Sequence, residues 1–400
     1  MSRQVQDAYI VAAARTPIGK APRGVFRNTR PDDLLVAAIR GALAQAPSLD
    51  PAVLEDAIIG CAIPEGEQGL NVARISVLLS GLPNRIAGVT VNRFCASGIT
   101  AIAMAADRIR VGEADAMIAG GTESMSMVPM MGNRPSMNMR IFDNDENVAI
   151  AYGMGMTAEN VANRWKVSRA DQDAFALASH QKAIAGQQKG EFKDETVPVE
   201  VIERIADLEG GKVDIRTRTV DTDEGARADT SLQVLGKLRT VFAAKGSVTA
   251  GNSSQTSDGA GAVLVVSEKI LKQFNLRPLA RFVSFAVRGV PPEIMGIGPK
   301  EAIPAALAAA GLRQEDLGWI ELNEAFAAQA LAVIRDLGLD PDKVNPIGGA
   351  IALGHPLGAT GAIRAATVIH ALQRHQLKYG MVTMCIGTGM GAAGIFERMS

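Results

Sequence analysis

The sequence predicts an α/β fold made of two similar halves, and three observations predict it. Residues 8–13 form an uncharged run that reads as a buried strand, followed by an apolar-periodic helix that opens at Pro31-Asp32-Asp33 and ends near Ala46. The same grammar returns at the other end of the chain. There a glycine-rich turn and a long helix over 358–376 lead into a strand over 381–385 and another glycine turn. Between these ends, residues 125–256 lose the strand–helix alternation. Alternation gives a sheet covered by helices, and its recurrence at so long a period gives two packed halves, not a solenoid.

The elements follow in order. After the first strand and helix, residues 57–62 read as a short buried strand. Residues 101–111 then place Ile102, Ala105, Ala106 and Ile109 on one helical face. Residues 116–121 read as a strand that ends in a glycine turn at Gly120-Gly121. The interrupting segment begins Met-rich, to about Met139, and continues through a charged helix over 168–189 and a polar stretch over 204–230. Insertions of this size commonly form lids and binding loops. The expected division is an N-terminal half of 1–124 with 257–275, a loop domain of 125–256, and a C-terminal half of 276–400.

Composition narrows the function. At 400 residues the chain exceeds what one hydrophobic core serves. With 47% apolar but only 4% aromatic residues, that core is aliphatic. A net charge of −1 offers no field for nucleic acid or an anionic membrane, so a phosphate-bearing ligand must be held locally. Three cysteines form no disulfide framework or zinc pattern, which points to a reducing compartment and a cytoplasmic location. The polar N-terminus does not resemble a signal peptide, and no apolar run reaches the ~18 residues of a membrane span. The expectation is a soluble protein.

Two of the three cysteines stand in unusual settings. Cys95, in Asn92-Arg93-Phe94-Cys95-Ala96-Ser97-Gly98, precedes a helix, where unpaired N–H groups favour a thiolate. Cys385 ends an apolar strand and meets Gly387-Thr388-Gly389, a turn whose N–H groups can approach a substrate oxygen closely. His355, between Gly354 and Pro356, lies in a constrained turn before a helix and can present a ring nitrogen to a cleft. For each residue alone, ordinary packing is the commoner explanation, and Cys61, His180, His370 and His375 keep it. A metal site of two cysteines and a histidine lacks paired ligand spacing. The run Gly389-Met390-Gly391-Ala392-Ala393-Gly394 satisfies a dinucleotide fingerprint formally, but only six residues follow it, too few for the helix and acidic residue that it needs.

Taken together, the segments around Cys95 and Cys385, the segment Gly348-Gly349-Ala350-Ile351-Ala352-Leu353-Gly354-His355-Pro356, and Asn323-Glu324-Ala325-Phe326 resemble the thiolase family, in order and position along nearly the whole chain. The resemblance implies a layered αβαβα arrangement of two α/β halves with a loop domain. It also implies a dimer or tetramer that works on CoA thioesters, with coenzyme A as substrate and no permanently bound cofactor. By the same resemblance, Cys95 is the acyl-carrying nucleophile, His355 its activator and Cys385 the acid/base thiol. Asn323 positions a water that, with His355, stabilises an enolate oxygen, and the N–H groups of Cys95 and Gly387 form a second oxyanion hole. Ser254 and Arg227 match residues beside the pantetheine and the nucleotide of CoA, and Met154 and Met295 match pocket-lining residues.

Three further segments, 152–160, 251–259 and 290–299, look most like degradative 3-ketoacyl-CoA thiolases of the peroxisomal type. Gly153 departs from the histidine usual in biosynthetic acetoacetyl-CoA thiolases. The implied reaction is CoA-dependent cleavage of 3-ketoacyl-CoA, as in fatty acid β-oxidation. The alternatives are an acetyl-CoA acetyltransferase working in the condensing direction and, behind it, a non-catalytic CoA-thioester binding protein. A ketoacyl synthase of the same superfamily lacks a counterpart of Cys385. The C-terminal residues Glu397-Arg398-Met399-Ser400 do not form a peroxisomal tripeptide.

Overall fold

The computed structural model describes residues 5–207 and 210–399. The start of the polar N-terminus, part of the 204–230 stretch and the final serine of the C-terminal tetrapeptide therefore lie outside the described residues. The strands are β1 (Tyr9–Arg15), β2 (Gly19–Lys20), β3 (Asp56–Gly60), β4 (Val89–Val91), β5 (Ala116–Ser124), β6 (Val199–Asp207), β7 (Lys212–Val220), β8 (Ser257–Val266), β9 (Ala280–Gly289), β10 (Leu317–Leu322), β11 (Tyr379–Ile386) and β12 (Met390–Arg398). Ten of them form one mixed sheet in the order β10-β11-β12-β9-β1-β8-β5-β3-β4, with β2 paired to β8.

The duplication is explicit in this order. In the first half β3 runs parallel to β5, β5 antiparallel to β8, and β8 antiparallel to β1. In the second half β10, β11, β12 and β9 repeat those relations. The two halves join through a short antiparallel pairing of Tyr9 and Ile10 with Arg281 and Ala280. Where β11 reaches β12 by the turn at Gly387, Thr388 and Gly389, the equivalent step from β5 to β8 takes all of residues 125–256.

Alternation along the strands sorts side chains into layers. Ile10, Met117, Val263, Phe282, Val382 and Phe396 face a shared core around two central helices, Ser97–Arg110 and Leu357–Arg374. The opposite faces carry Val11, Ile118 and Leu264 against the helix Pro31–Gln45. In the other half, Ile320, Met381 and Ile395 lie against the helix Gly298–Ala310. The result is an α/β fold of helix, sheet, paired helices, sheet and helix. Alanine, valine, isoleucine and leucine dominate the core, as the low aromatic content requires.

The central helices cross backbone to backbone near their N-termini. A Cβ on Gly98 would lie 2.7 Å from the Ala362 nitrogen, and one on Gly361 would lie 2.3 Å from the Ile99 nitrogen. Backbone cannot yield as a flexible side chain can, so this crossing needs glycine and brings the residues just before the two helices side by side. We predict that Gly361→Ala destabilises the fold by about 3 kcal/mol, the upper part of the usual overpacking range. A denaturant titration with an unchanged midpoint would contradict this.

Two expectations change. Gly120 and Gly121 lie inside β5, not in a turn after it. A Cβ on Gly120 would meet the Gly261 oxygen at 2.3 Å, and one on Gly121 the Gly358 oxygen at 2.2 Å, so these glycines serve close packing. The polar stretch after Arg204 contains a strand, because β6 and β7 pair as an antiparallel ribbon from Val199↔Val220 to Asp207↔Lys212. Most of its side chains are exposed and many are charged, which hides the strand period. The charged helix is present as Arg169–Gln188, with the Ser168 hydroxyl accepting from the Asp171 N–H at its start. An unexpected helix, Met154–Arg164, precedes it.

Candidate active site

The helix crossing sets the site. Cys95 lies in a tight turn, Phe94–Ala96, that enters the first central helix, with Phe94 held at a φ of 44°. A non-glycine residue in that region is a strained turn of the kind that clusters at functional sites. His355 lies in the turn that enters the second, after Gly354 at a φ of 103°. A Cβ at Gly354 would press within 2.4 Å of the Ser257 hydroxyl. Asn323 follows the last residue of β10, and Cys385 lies near the end of β11, so neighbouring parallel strands deliver both at their carboxyl ends. This is the edge where ligands bind in α/β sheets.

His355 is only 5% exposed. Its backbone N–H donates to the Gln255 carbonyl at 3.2 Å and the Ser257 hydroxyl at 3.1 Å. Its Nδ1 lies 2.6 Å from Thr360 Oγ1, and its Nε2 lies 3.3 Å from Asn323 Nδ2. With the Asn323 amide donating to Nε2, Nδ1 carries the proton and donates to Thr360. Burial, helped by the positive Arg364, pushes His355 down to about 3, so the ring is neutral at physiological pH. Asn323 Oδ1 is buried and has no partner among the described residues. A buried acceptor left open is costly, and this one is suited to receive a water or ligand proton.

The expectation of a thiolate at Cys95 is met only in part. The backbone N–H groups of Gly387 and of Cys95 itself favour the anion, but burial outweighs them and pushes the thiol up to about 12. Burial, then the neighbouring Cys95, likewise pushes the Cys385 thiol up. Both rest protonated beside a neutral histidine, and an anion forms only when something else stabilises charge there. The sign is testable: a thiol with so raised a pKa gains thiolate throughout pH 7–9, so iodoacetamide alkylation of Cys95 should accelerate about tenfold per pH unit. A plateau below pH 8 would contradict it.

Around Cys385 stand Ala158, Val248, Met295, Ala325 and Phe326, with Met154 packed against them. Phe242 meets Phe326 edge-on at 6.1 Å. Met154 and Met295 are thus brought to the same apolar pocket as the thiol. Ser254 lies next to this group, its N–H donating to the Ala325 carbonyl at 2.9 Å. Arg227 is not in the cluster. It is exposed and paired with Asp229 at 3.2 Å, and its loop is tied inward by Gln255, whose amide donates to Gly225, Ile351 and Ala352 carbonyls.

Sequence reasoning missed the buried carboxylates that brace the site. Glu123 accepts from the N–H groups of Ala62, Ile63 and Gly358 and from Gln68, fastening the β3 exit to the second central helix. Glu324 accepts from Ser179 at 2.7 Å, Asn345 at 2.9 Å and the Ile351 N–H at 3.2 Å. A Cβ on Gly349 would collide with its carboxyl. The available signal was Glu324 itself, an acid within an otherwise apolar run beside Asn323. Among the described residues, no cluster of histidine, cysteine, aspartate or glutamate could hold a metal, and no helix is long and apolar enough to cross a membrane.

Comparison with known proteins agrees with this geometry. Residues 8–269 match the model of the thiolase N-terminal domain, and residues 276–398 that of the thiolase C-terminal domain. The chain is 51% identical over 394 residues to a 3-ketoacyl-CoA thiolase of Bacillus subtilis (strain 168), covering 98% of this chain and 100% of that one. It is 48% identical over 392 residues to the peroxisomal 3-ketoacyl-CoA thiolase A of Mus musculus, covering 98% and 91%. Among solved structures, the human mitochondrial 3-ketoacyl-CoA thiolase in complex with CoA superimposes with a TM-score of 0.88 at 38% identity. The Bacillus anthracis acetyl-CoA acetyltransferase does so at 0.89 and 35%, and in both cases the match spans 100% of each chain.

Proposed function

The chain belongs to the thiolase family, and from that premise we propose that it is an acyltransferase that cleaves 3-ketoacyl-CoA with a second molecule of CoA, through an acyl group carried on Cys95. What supports this is the buried contact of Asn323 with His355 at 3.3 Å, together with the neighbouring Cys95 and Cys385, in turns and strand ends that the helix crossing draws together. The Gly387 N–H is already directed at the nucleophilic sulfur. Relatives about half identical over nearly the full length carry the 3-ketoacyl-CoA thiolase name, and this supports the degradative direction.

In this mechanism the Cys95 proton passes to His355 Nε2 as sulfur attacks the 3-keto carbon. The new oxyanion takes donors from the N–H groups of Cys95 and Gly387. His355, once protonated, becomes a donor at Nε2 just when the thioester enolate needs one. Asn323 Oδ1 holds a water that supplies the second donor. Cys385 protonates the departing acetyl-CoA enolate and its thiolate then takes the proton of incoming CoA, whose sulfur displaces Cys95 from the acyl carbon to give the shortened acyl-CoA, while His355 returns its proton to the Cys95 sulfur. Splitting the cleavage into two steps with preorganised donors lets two weak neutral acids do work that neither would do in water.

CoA is a substrate here, with Ser254 and Arg227 proposed to meet its pantetheine and nucleotide, and Met154 and Met295 to line the acyl pocket. We extend the proposal to residues 125–256 as the loop domain that binds CoA, between halves of 1–124 with 257–275 and 276–400. Assembly as a homodimer or homotetramer is supported by exposed Val89 on the edge strand β4 and by exposed Leu78 and Leu79 at the end of the helix Val72–Leu79. A cytoplasmic location is supported by three free thiols. The test is CoA-dependent cleavage of acetoacetyl-CoA and of a medium-chain 3-ketoacyl-CoA. Faster cleavage of the longer substrate is expected, activity on acetoacetyl-CoA alone would favour an acetyltransferase, and no cleavage by folded protein would overturn the proposal.

A further inference from the structure

Strand β10 is the last strand of the sheet, paired with β11 on one side and tied on the other to residues 343–345, through Ile320 with Lys343 and Asn345 and through Leu322 with the Asn345 side chain. Trp319 and Glu321 of β10 and Asn323 just after it alternate along the chain, and each meets a polar partner from within the second central helix or beside one of its ends. Trp319 stacks on His375 at 5.4 Å, Glu321 pairs with Arg364 at 3.5 Å, and Asn323 meets His355 at 3.3 Å. Trp319 also donates to Glu321 Oε1 at 2.7 Å, which links the first two contacts. The three polar contacts thus involve His375 just after the helix, Arg364 within it and His355 just before it. Around them the helix buries Ala365, Ala366, Val368, Ile369, Ala371 and Leu372, and this apolar packing is less directional than the polar contacts.

The middle contact is expensive. Arg364 and Glu321 have side chains 3% and 1% exposed, and Arg364 Nη2 has no hydrogen-bond partner among the described residues. A buried ion pair with a loose 3.5 Å contact is a poor source of stability, since apolar residues of similar volume often serve as well or better. Its attested use is to specify register, and here the register it specifies is that of Asn323, two residues along from Glu321, against His355.

We infer that Arg364, through its pair with Glu321, is a positioning residue that sets the Asn323–His355 contact on which the enolate step depends. It touches neither substrate nor CoA, and it acts by holding an edge strand to the helix that carries the histidine. The charge of Arg364 also helps keep His355 neutral.

The test compares wild type with Arg364→Met/Glu321→Gln, which removes both charges together and so avoids stranding one of them, and with Arg364→Lys. In cleavage of a medium-chain 3-ketoacyl-CoA, the double variant should lose at least about tenfold in kcat, with both KM values within about twofold of wild type and a cooperative melt retained. Arg364→Lys, which keeps the charge, should recover most of the loss. A folded double variant with kcat within twofold of wild type would overturn the inference, as would a loss confined to KM or a lysine variant no better than methionine. If the double variant does not fold, Arg364→Gln/Glu321→Gln, which also removes both charges but keeps two hydrogen-bonding side chains, carries the same test with the same limits. The inference rests on the thiolytic reaction proposed above. Wild-type protein without cleavage would defeat both, whereas active wild type with an unimpaired variant defeats only the role of Arg364.

Discussion

Replacing Cys95 by alanine should reduce cleavage of 3-ketoacyl-CoA by at least about 10⁴-fold, because loss of a covalent nucleophile removes the whole two-step route and leaves only binding and the oxyanion donors. The fold should survive. Deleting one sulfur at a position 7% exposed costs about 1 kcal/mol, small against the stability of a large domain. The Phe94–Ala96 turn is fixed by other groups: Ser97 Oγ donates to the Phe94 carbonyl at 2.6 Å and accepts from the Arg93 N–H at 2.8 Å. Steady-state kinetics with a thermal melt checks both halves of this. A folded variant retaining more than a few per cent of wild-type activity would show that the acyl group is not carried on this sulfur.

Cys385→Ala should separate the two chemical steps. Acyl exchange between an acyl-CoA and labelled CoA uses Cys385 only to move a thiol proton, which water or buffer can also carry, whereas cleavage of the 3-ketoacyl substrate needs an acid at the enolate carbon. The expected result is a loss of about 10³-fold in cleavage with exchange reduced by about tenfold or less. Equal losses in both reactions would mean that Cys385 only shapes the pocket beside Met154 and Met295. The distinction matters because the thiol belongs to the apolar cluster of Ala158, Val248, Ala325 and Phe326, and packing alone would account for its burial.

Much of this was legible in the sequence because the relevant signals are local. A strand of small apolar residues, a glycine turn and a helix repeat at both ends of the chain, and the structure turns that repetition into matching strand orders. The segments around Cys95, His355, Cys385 and Asn323 likewise marked the residues that the helix crossing and the strand ends bring together. What was not legible depends on partners far apart in the chain. Gly120 and Gly121 look like a turn until the backbones of Gly261 and Gly358 are seen against them. The ribbon of β6 and β7 leaves Ile202, Ile205, Val213 and Ile215 exposed among charged residues, so no continuous buried apolar face marks its period. The protonated state of Cys95 is set by its full burial against two N–H donors, a balance that composition cannot give. Glu123, Glu324 and Glu321 read as ordinary charges because the donors of the first two and the Arg364 partner of the third lie far away in the chain.

The central claim is that an acyl group passes through Cys95, and the most direct measurement is to look for it there. The protein would be incubated with a medium-chain acyl-CoA in the absence of free CoA, quenched in acid, and weighed intact and as peptides. The expected result is one acyl group per chain, located on the peptide containing Cys95, lost when CoA is added and absent in Cys95→Ala. Label on another residue, or turnover of 3-ketoacyl-CoA with no acyl-protein at any time, would contradict it.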